Sequence, residues 1–465
     1  MKKMKWILAL TLVVACCLVF AACAKADEPP VASESESESA TQNEAPTQLN
    51  LTIDGKDIGE YKIVYAHSPL ENKIGSGTGK TVGEDLAEYL QGENKAMDFD
   101  YQTAVRLQTL IKEKTGKTLE LEKDSAATQW GEREILVGLT NRTASKNAVT
   151  DMKMDDFVCK LVETRYVICG DSYGTTWHAV DALEKKLGEA DKTLDLKSAD
   201  LSGSYAMKKV ACVGDSITRG SQAVYASGAD VTSWGSATVR DIYYEEYLAY
   251  PCVAQRNLWK DYLFYNFGAS GAAMSLGNTK YPDTAKYQKC MEYSNRDDFE
   301  YDLVLIMLGS NDAPKAVVAN DGGLIQTQEK DYLDATRKLM NDILAGSPDA
   351  QFVMMNVPHR CDGENPLKTD AAVRIAQAET TYELLGEGFL VWGFDMNRFT
   401  IENLTADASK EGTNELKLHE DYYNIKEGAN DTTHLNNKGY YLVGMEMVKV
   451  VEHILEDEKP SDYMQ

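Results

Sequence analysis

The sequence is short of positive charge. It carries 48 Lys and Arg against 73 Asp and Glu, a net charge of −25. Nucleic-acid binding needs clustered basic residues to meet the phosphate backbone, so DNA and RNA are excluded as partners. The same deficit sets the chain against anionic lipid surfaces, and membrane attachment has to be inserted or covalent. Closely spaced cysteine pairs are missing as well. None of the nine cysteines stands in a CxxC or in a Cys/His spacing that suits a metal, and no metal or cofactor is expected. The apolar run from Trp6 to Phe20 is about 15 residues long, short of the roughly 20 that a spanning helix needs. What is present is ordinary for a globular protein: 43% hydrophobic and 26% charged residues in 465. That is length for two or three domains of about 100–200 residues.

Lys2, Lys3 and Lys5 followed by that apolar run have the pattern of an export signal. Ala21-Ala22-Cys23 then resembles a bacterial lipobox, although Phe20 stands where Leu is usual. The resemblance implies cleavage after residue 22 and a lipid on Cys23, residues 1–23 forming the lipoprotein signal. Val14-Ala15-Cys16 is a competing lipobox, and a secretory peptide cut near Ala26 is the plainer alternative. All three place the mature protein outside the cytoplasm, on the first reading as a cell-surface lipoprotein. Residues 24–49 lack the apolar content to fold, and the Ser/Glu/Pro-rich stretch 27–47 predicts a self-repelling flexible tether.

Residues 50–205 read as one α/β unit. Strands are expected at Tyr61–Tyr65, Leu119–Leu121 and Glu134–Gly138, and helices at Tyr101–Lys114 and Thr175–Leu187, each closed by a glycine. Phe157–Cys169 reads as a hairpin. If it is centred on Thr164, Cys159 and Cys169 face each other and a disulfide is open to them; otherwise they are two small buried hydrophobes. The segments EILVGLTNRTAS, CGDSYGTTWHAVDALEKKLG and the helix ending in KTG before LEL resemble accessory domains that precede bacterial carbohydrate-active enzymes, α-glucuronidases among them.

Residues 207–457 alternate more regularly, with 458–465 as a tail. Strands at Lys209–Val213, Leu263–Asn266, Leu303–Leu308, Phe352–Met355 and Leu390–Trp392 are interleaved with helices at Thr327–Leu344, Ala371–Leu385 and Asn437–Leu455. That order predicts a parallel sheet covered by helices on both faces. Ligands of such sheets lie beyond the carboxyl ends of the strands. The residues there are Gly214-Asp215-Ser216 after the first strand, Asn266 to Gly271 after the second and Gly309-Ser310-Asn311-Asp312 after the third. Asp431-Thr432-Thr433-His434 precedes the last helix.

These four blocks, in this order, resemble those of the SGNH (GDSL-like) hydrolase superfamily. The resemblance implies a flavodoxin-like three-layer α/β/α domain preceded by the smaller α/β accessory domain. It also implies a serine ester hydrolase with Ser216 as nucleophile, His434 as base, Asp431 orienting the imidazole, and an oxyanion hole from the Ser216 and Gly271 N–H groups and the Asn311 amide. The chemistry is coherent by itself: acyl transfer needs a hydroxyl, a base, a group fixing the base's tautomer, and donors for the oxyanion. Ile217 stands where the namesake motif has Leu. The aromatic stretch from Gly220 to Tyr262, with Tyr225, Trp234, Tyr243, Tyr244, Tyr247, Tyr250 and Trp259, reads as a loop over the site or as core. The expected substrate is an ester, an O-acetylated polysaccharide or cell-wall glycan. A lipase or lysophospholipase is the alternative enzyme, though no long exposed apolar segment offers it a groove. A non-catalytic glycan-binding lipoprotein is the alternative outside enzymes.

Three further segments invite attention. Gly170-Asp171-Ser172-Tyr173-Gly174 repeats GDS and fits the G-x-S-x-G elbow, but lies outside the ordered blocks. Ile74 to Thr81 nearly matches a phosphate-binding loop, lacking its first glycine. His359, after the fourth strand, lies near the expected rim.

Overall fold

A computed structural model describes residues 48–67, 98–126, 131–220, 249–358, 366–396, 423–426, 429–435 and 437–457. Cys23, the segment 24–47, the glycine-rich segment 74–81, His359, the tail from 458 and the aromatics between 221 and 248 lie outside the described residues.

Leu49, read from the sequence as the end of the tether, is instead buried, and its N–H donates to Lys114 O. β1 (Asn50–Ile53), β2 (Lys56–Asp57) and, much later, Thr193–Asp195 make a small three-stranded sheet. β3 (Lys62–Tyr65) leads to α1 (Phe99–Thr115), capped by Asp98 and ended by Gly116 in the left-handed region at φ 73°. β4 (Leu121–Lys123), β5 (Glu134–Val137) and α2 (Thr143–Ala148) follow. The hairpin is β6 (Asp156–Val162) and β7 (Arg165–Gly170), succeeded by α3 (Tyr173–Gly188), β8 (Thr193–Asp195) and β9 (Gly203–Ser204). A six-stranded sheet results, in order β4-β3-β5-β7-β6-β9. β4, β3, β5 and β7 run parallel, while β6 is antiparallel to both its neighbours.

The hairpin corrects the sequence reading by one residue. Val162 pairs with Arg165 across the turn Glu163-Thr164, so Cys159 lies opposite Ile168 and Cys169 opposite Val158. A one-residue slip sends side chains to opposite faces. Cys159 packs with Tyr166 and Leu183 on one face and Cys169 with Leu136 and Val167 on the other, and the two are not joined in a disulfide.

The second sheet begins with β10 (Lys208–Gly214), whose carboxyl end runs into the four-residue α4 (Ser216–Arg219). α5 (Tyr250–Asn257), β11 (Tyr262–Gly268), β12 (Ala272–Ala273), β13 (Thr279–Lys280) and α6 (Ala285–Ser294) follow. Next come β14 (Leu303–Met307), α7 (Gln326–Leu344), β15 (Gln351–Met355), α8 (Pro366–Gly386) and β16 (Val391–Phe394). β17 (Tyr423–Lys426) pairs with β18 (Ala429–Leu435), and α9 (Asn437–Glu452) follows. The five long strands are all parallel, in order β11-β10-β14-β15-β16. In chain sequence that is 2-1-3-4-5, a flavodoxin-like order of the kind that the resemblance implies, in a parallel sheet of the kind that the alternation of elements predicts. β11 and β14 are buried at every position; β14 is accordingly an unbroken apolar run, and β11 departs from one only at Asn266 and the closing Gly268.

The two sheets share packing. Phe99 and Tyr173 from the first half belong to the core of the second. Phe99 and Trp177 lie 4.9 and 5.4 Å from the Trp259 ring, centroid to centroid. His178 stacks on Tyr205 at 3.4 Å and reaches Asp181 with Nδ1 at 2.5 Å; its Nε2 lies 3.1 Å from both Asp261 Oδ1 and Lys260 O. Tyr205 Oη donates to Asp261 at 2.7 Å, and Lys209 pairs with Asp155 at 2.6 Å. Burial alone would lower the His178 pKa; Asp181 and Asp261 outweigh it and hold it at about 8. Gly174 sits at this joint because a Cβ there would come within 2.5 Å of Lys260 O. Tyr250 and Trp259, the two described members of the aromatic stretch, are thus core residues.

Candidate active site

In a 2-1-3 sheet the strand order reverses between the first and third strands, and the crevice opens at their carboxyl ends. Those strands are β10 and β14, and the residues leaving them are Asp215-Ser216 and Gly309 to Asp312. Asp215 caps the short helix, its Oδ1 accepting from Ile217 N at 2.9 Å, and Ser216 is the helix's first residue. Asp215 is fully buried whereas Ser216 is half-buried, so the turn leaves the serine accessible at the carboxyl end of β10.

Two further contacts fix that turn. Asn266, near the end of β11, donates to Thr218 O at 2.9 Å and accepts from Gly268 N at 3.0 Å. Gly268 then has to be glycine, since a Cβ there would lie 2.2 Å from Arg219 N. The Thr218 hydroxyl meets the buried Tyr250 hydroxyl at 3.1 Å. The helix carrying Ser216 is thereby held on the end of the sheet.

His434 reaches this turn from the far end of the chain. Its Nε2 lies 2.8 Å from Ser216 Oγ, a hydrogen-bonding distance that suits proton transfer. Asp431 and His434, read only as a block preceding the last helix, both stand on β18. Asn424 pairs with Asp431 and Tyr423 with Leu435, so Thr432 to His434 bulge out of the pairing. The bulge matters because residues three apart on a regular strand face opposite ways. The side chain of Asp431 lies outside the described residues.

Gly271 and Asn311, singled out as oxyanion donors, follow β11 and β14, the two strands on either side of β10. Gly271 is exposed with φ 78°, in the region that favours glycine. The Asn311 side-chain nitrogen donates to Ala272 O at 2.9 Å, which fixes its plane and leaves its second N–H to point elsewhere. Beside it, Asp312 is fully buried and receives the N–H groups of Met274, Ser275 and Leu276. Burial raises its pKa against those three donors. No sequence signal separated Asp312 from a loop cap, because its partners are backbone groups some 37 residues upstream in a stretch without a motif. Among the described residues no group of three or more His, Cys, Asp or Glu side chains is placed to hold a metal ion.

The second GDS behaves differently. Ser172 is fully buried, caps α3 by accepting from Thr175 N at 3.0 Å, and forms a reciprocal capping box with the Thr175 hydroxyl. It is a helix cap.

Among solved structures, the chain resembles a carbohydrate acetylesterase family member from Sinorhizobium meliloti at 19% identity, over 54% of this chain and 99% of that one, with a TM-score of 0.33. A family two carbohydrate esterase from Clostridium thermocellum, in complex with cellohexaose, matches at 15% over 54% and 66%, with a TM-score of 0.34. The M. smegmatis aryl esterase matches at 17% over 53% and 100%, with a TM-score of 0.32. None is similar enough to carry a substrate across. No curated protein sequence matches the chain. The model of the GDSL-like lipase/acylhydrolase family matches residues 210–447. That span is just over half of the chain and holds the β10 turn, the Asn311 block and His434: this protein belongs to the GDSL-like lipase/acylhydrolase family, the SGNH serine ester hydrolases.

Proposed function

We propose that the protein is an exported esterase in which Ser216 is the nucleophile, His434 its base, and Asp431 the group that fixes the imidazole. The observation that carries this reading is the 2.8 Å approach of His434 Nε2 to Ser216 Oγ, between residues 218 apart in sequence, at the sheet's switch point. His434 takes the Ser216 proton as Oγ attacks the ester carbon. The oxyanion then receives the Ser216 and Gly271 N–H groups and the Asn311 amide. Collapse breaks the bond to the alcohol oxygen, which leaves with the proton from His434. Water, deprotonated by His434, attacks the acyl-serine in the same way and releases the acid.

The substrate class in this proposal is an O-acetylated carbohydrate or cell-wall glycan. The export signal brings the enzyme to such polymers, and a net charge of −25 opposes approach to anionic lipid. Residues 207–457 act as the hydrolase and 50–205 as its accessory part, held to the membrane by a lipid on Cys23 through the Ser/Glu/Pro-rich tether that ends ahead of Leu49. The test compares p-nitrophenyl acetate with p-nitrophenyl palmitate and follows acetate release from acetylated xylan. Hydrolysis of the acetate ester with release from xylan supports the reading; preference for palmitate replaces it with a lipase. Metabolic labelling with palmitate tests the anchor, with loss of label expected for Cys23→Ser.

A further inference from the structure

The loop that carries Gly271 has no helix or long strand of its own. Its geometry is set from outside by two consecutive residues after β14. Asn311 holds Ala272 O at 2.9 Å. Asp312 holds the next turn: Met274 N donates to Oδ2 at 2.7 Å, and Ser275 N and Leu276 N donate to Oδ1 at 2.8 and 2.6 Å. Asp312 is itself anchored, its N–H donating to Gly309 O at 2.9 Å, and its side chain is sealed from solvent.

We propose that Asp312 is a positioning residue for the esterase reaction: by gripping Met274–Leu276 it sets where the Gly271 N–H and the Asn311 amide meet the oxyanion. This rests on the Ser216–His434 reading above. A carboxylate suits the task because two acceptor oxygens serve three N–H groups, and charge-assisted bonds of this kind are short and strong. An amide offers one oxygen and turns its NH₂ toward donors. Electrostatics alone points the other way, since a buried negative charge near a developing oxyanion opposes it. The carboxylate therefore acts through its acceptor geometry. A donor displaced by even a fraction of an ångström loses most of its selective hold on the transition state, and single oxyanion donors contribute about 10²–10³ in kcat.

The test uses the full chain, with reactive serines counted by stoichiometric reaction with diethyl p-nitrophenyl phosphate and turnover of p-nitrophenyl acetate expressed per counted site. Asp312→Asn is expected to keep titratable sites, to lose roughly 10- to 100-fold in kcat, and to change KM less than about threefold. A kcat per site within twofold of the parent, with only fewer sites counted, would reduce Asp312 to a folding role and overturn the proposal. Should Asp312→Asn not fold, Ser275→Pro removes one donor from the other side of the same contact. It is expected to lower kcat per site several-fold at constant KM; an unchanged kcat overturns the proposal equally. A parent activity that survives Ser216→Ala would instead overturn the esterase assignment, and this proposal with it.

Discussion

At the scale of the residue, two serines share the same tripeptide and do different work. Ser172 turns its hydroxyl back onto Thr175 and is sealed in the fold, whereas Ser216 keeps its hydroxyl half-buried and within 2.8 Å of an imidazole. Removing the Ser172 cap should therefore lower stability by about 1 kcal/mol, read as a small drop in Tm, with kcat unchanged. On the proposed mechanism, in which its amide meets the oxyanion, Asn311→Ala should lower kcat by about 10²–10³ with a much smaller change in KM. Both serines were legible in the sequence, and their separation rested on the ordered blocks that surround only one of them. Asp312 was visible as a letter of the GSND block and not as a role, since a grip on backbone N–H groups leaves no trace in side-chain identity.

At the scale of the element, the parallel strands of the second sheet were legible because fully buried strands are continuous apolar runs bounded by glycine and asparagine. The hairpin was legible as a hairpin and illegible in register: both candidate turns are polar, and a shift of one residue exchanges which face each cysteine joins. The bulge at Thr432 to His434 was illegible for a similar reason, since three residues inserted into a ladder look locally like a loop. The joint around His178 was hidden because its partners come from elements 27 and 83 residues away. It makes a pH prediction. The folded pKa, about 8, lies above the reference 6.5, so the joint's contribution is full below pH 6.5 and is lost as pH rises through 8. The shift corresponds to on the order of 2 kcal/mol. The groups facing His178 are Asp181, Asp261 and Tyr205, with Arg106 bonded to Asp181 and Lys260 close by over Trp177. Thermal melts should show Tm falling between pH 6.5 and 9, with a flatter profile in His178→Gln; equal slopes for the two proteins would contradict it.

At the scale of the whole molecule, the half built on the six-stranded sheet packs on the half built on the five-stranded sheet through Trp259, rather than standing apart on a linker. Trp259 was read with its neighbours as a member of an aromatic stretch of undecided use; its place in the core follows from its contacts with Phe99 and Trp177, which no local pattern announces. Gly174→Val, which forces a side chain against Lys260 O and the Met207 side chain, should destabilise the molecule by about 1–3 kcal/mol. The alternation of strands and helices pointed to a parallel sheet, the resemblance of the four ordered blocks implied its flavodoxin-like form, and ligands of such sheets lie in the crevice beyond the carboxyl ends of the strands. The central claim is that Ser216 and His434 act together in that crevice. The most direct measurement is p-nitrophenyl acetate turnover by the full chain beside Ser216→Ala, His434→Ala and the double variant. The account predicts a fall of at least about 10³-fold in kcat for each single variant and little further loss in the double, as for residues that work as one unit. Single variants that keep parent turnover, or losses that multiply in the double, would contradict it.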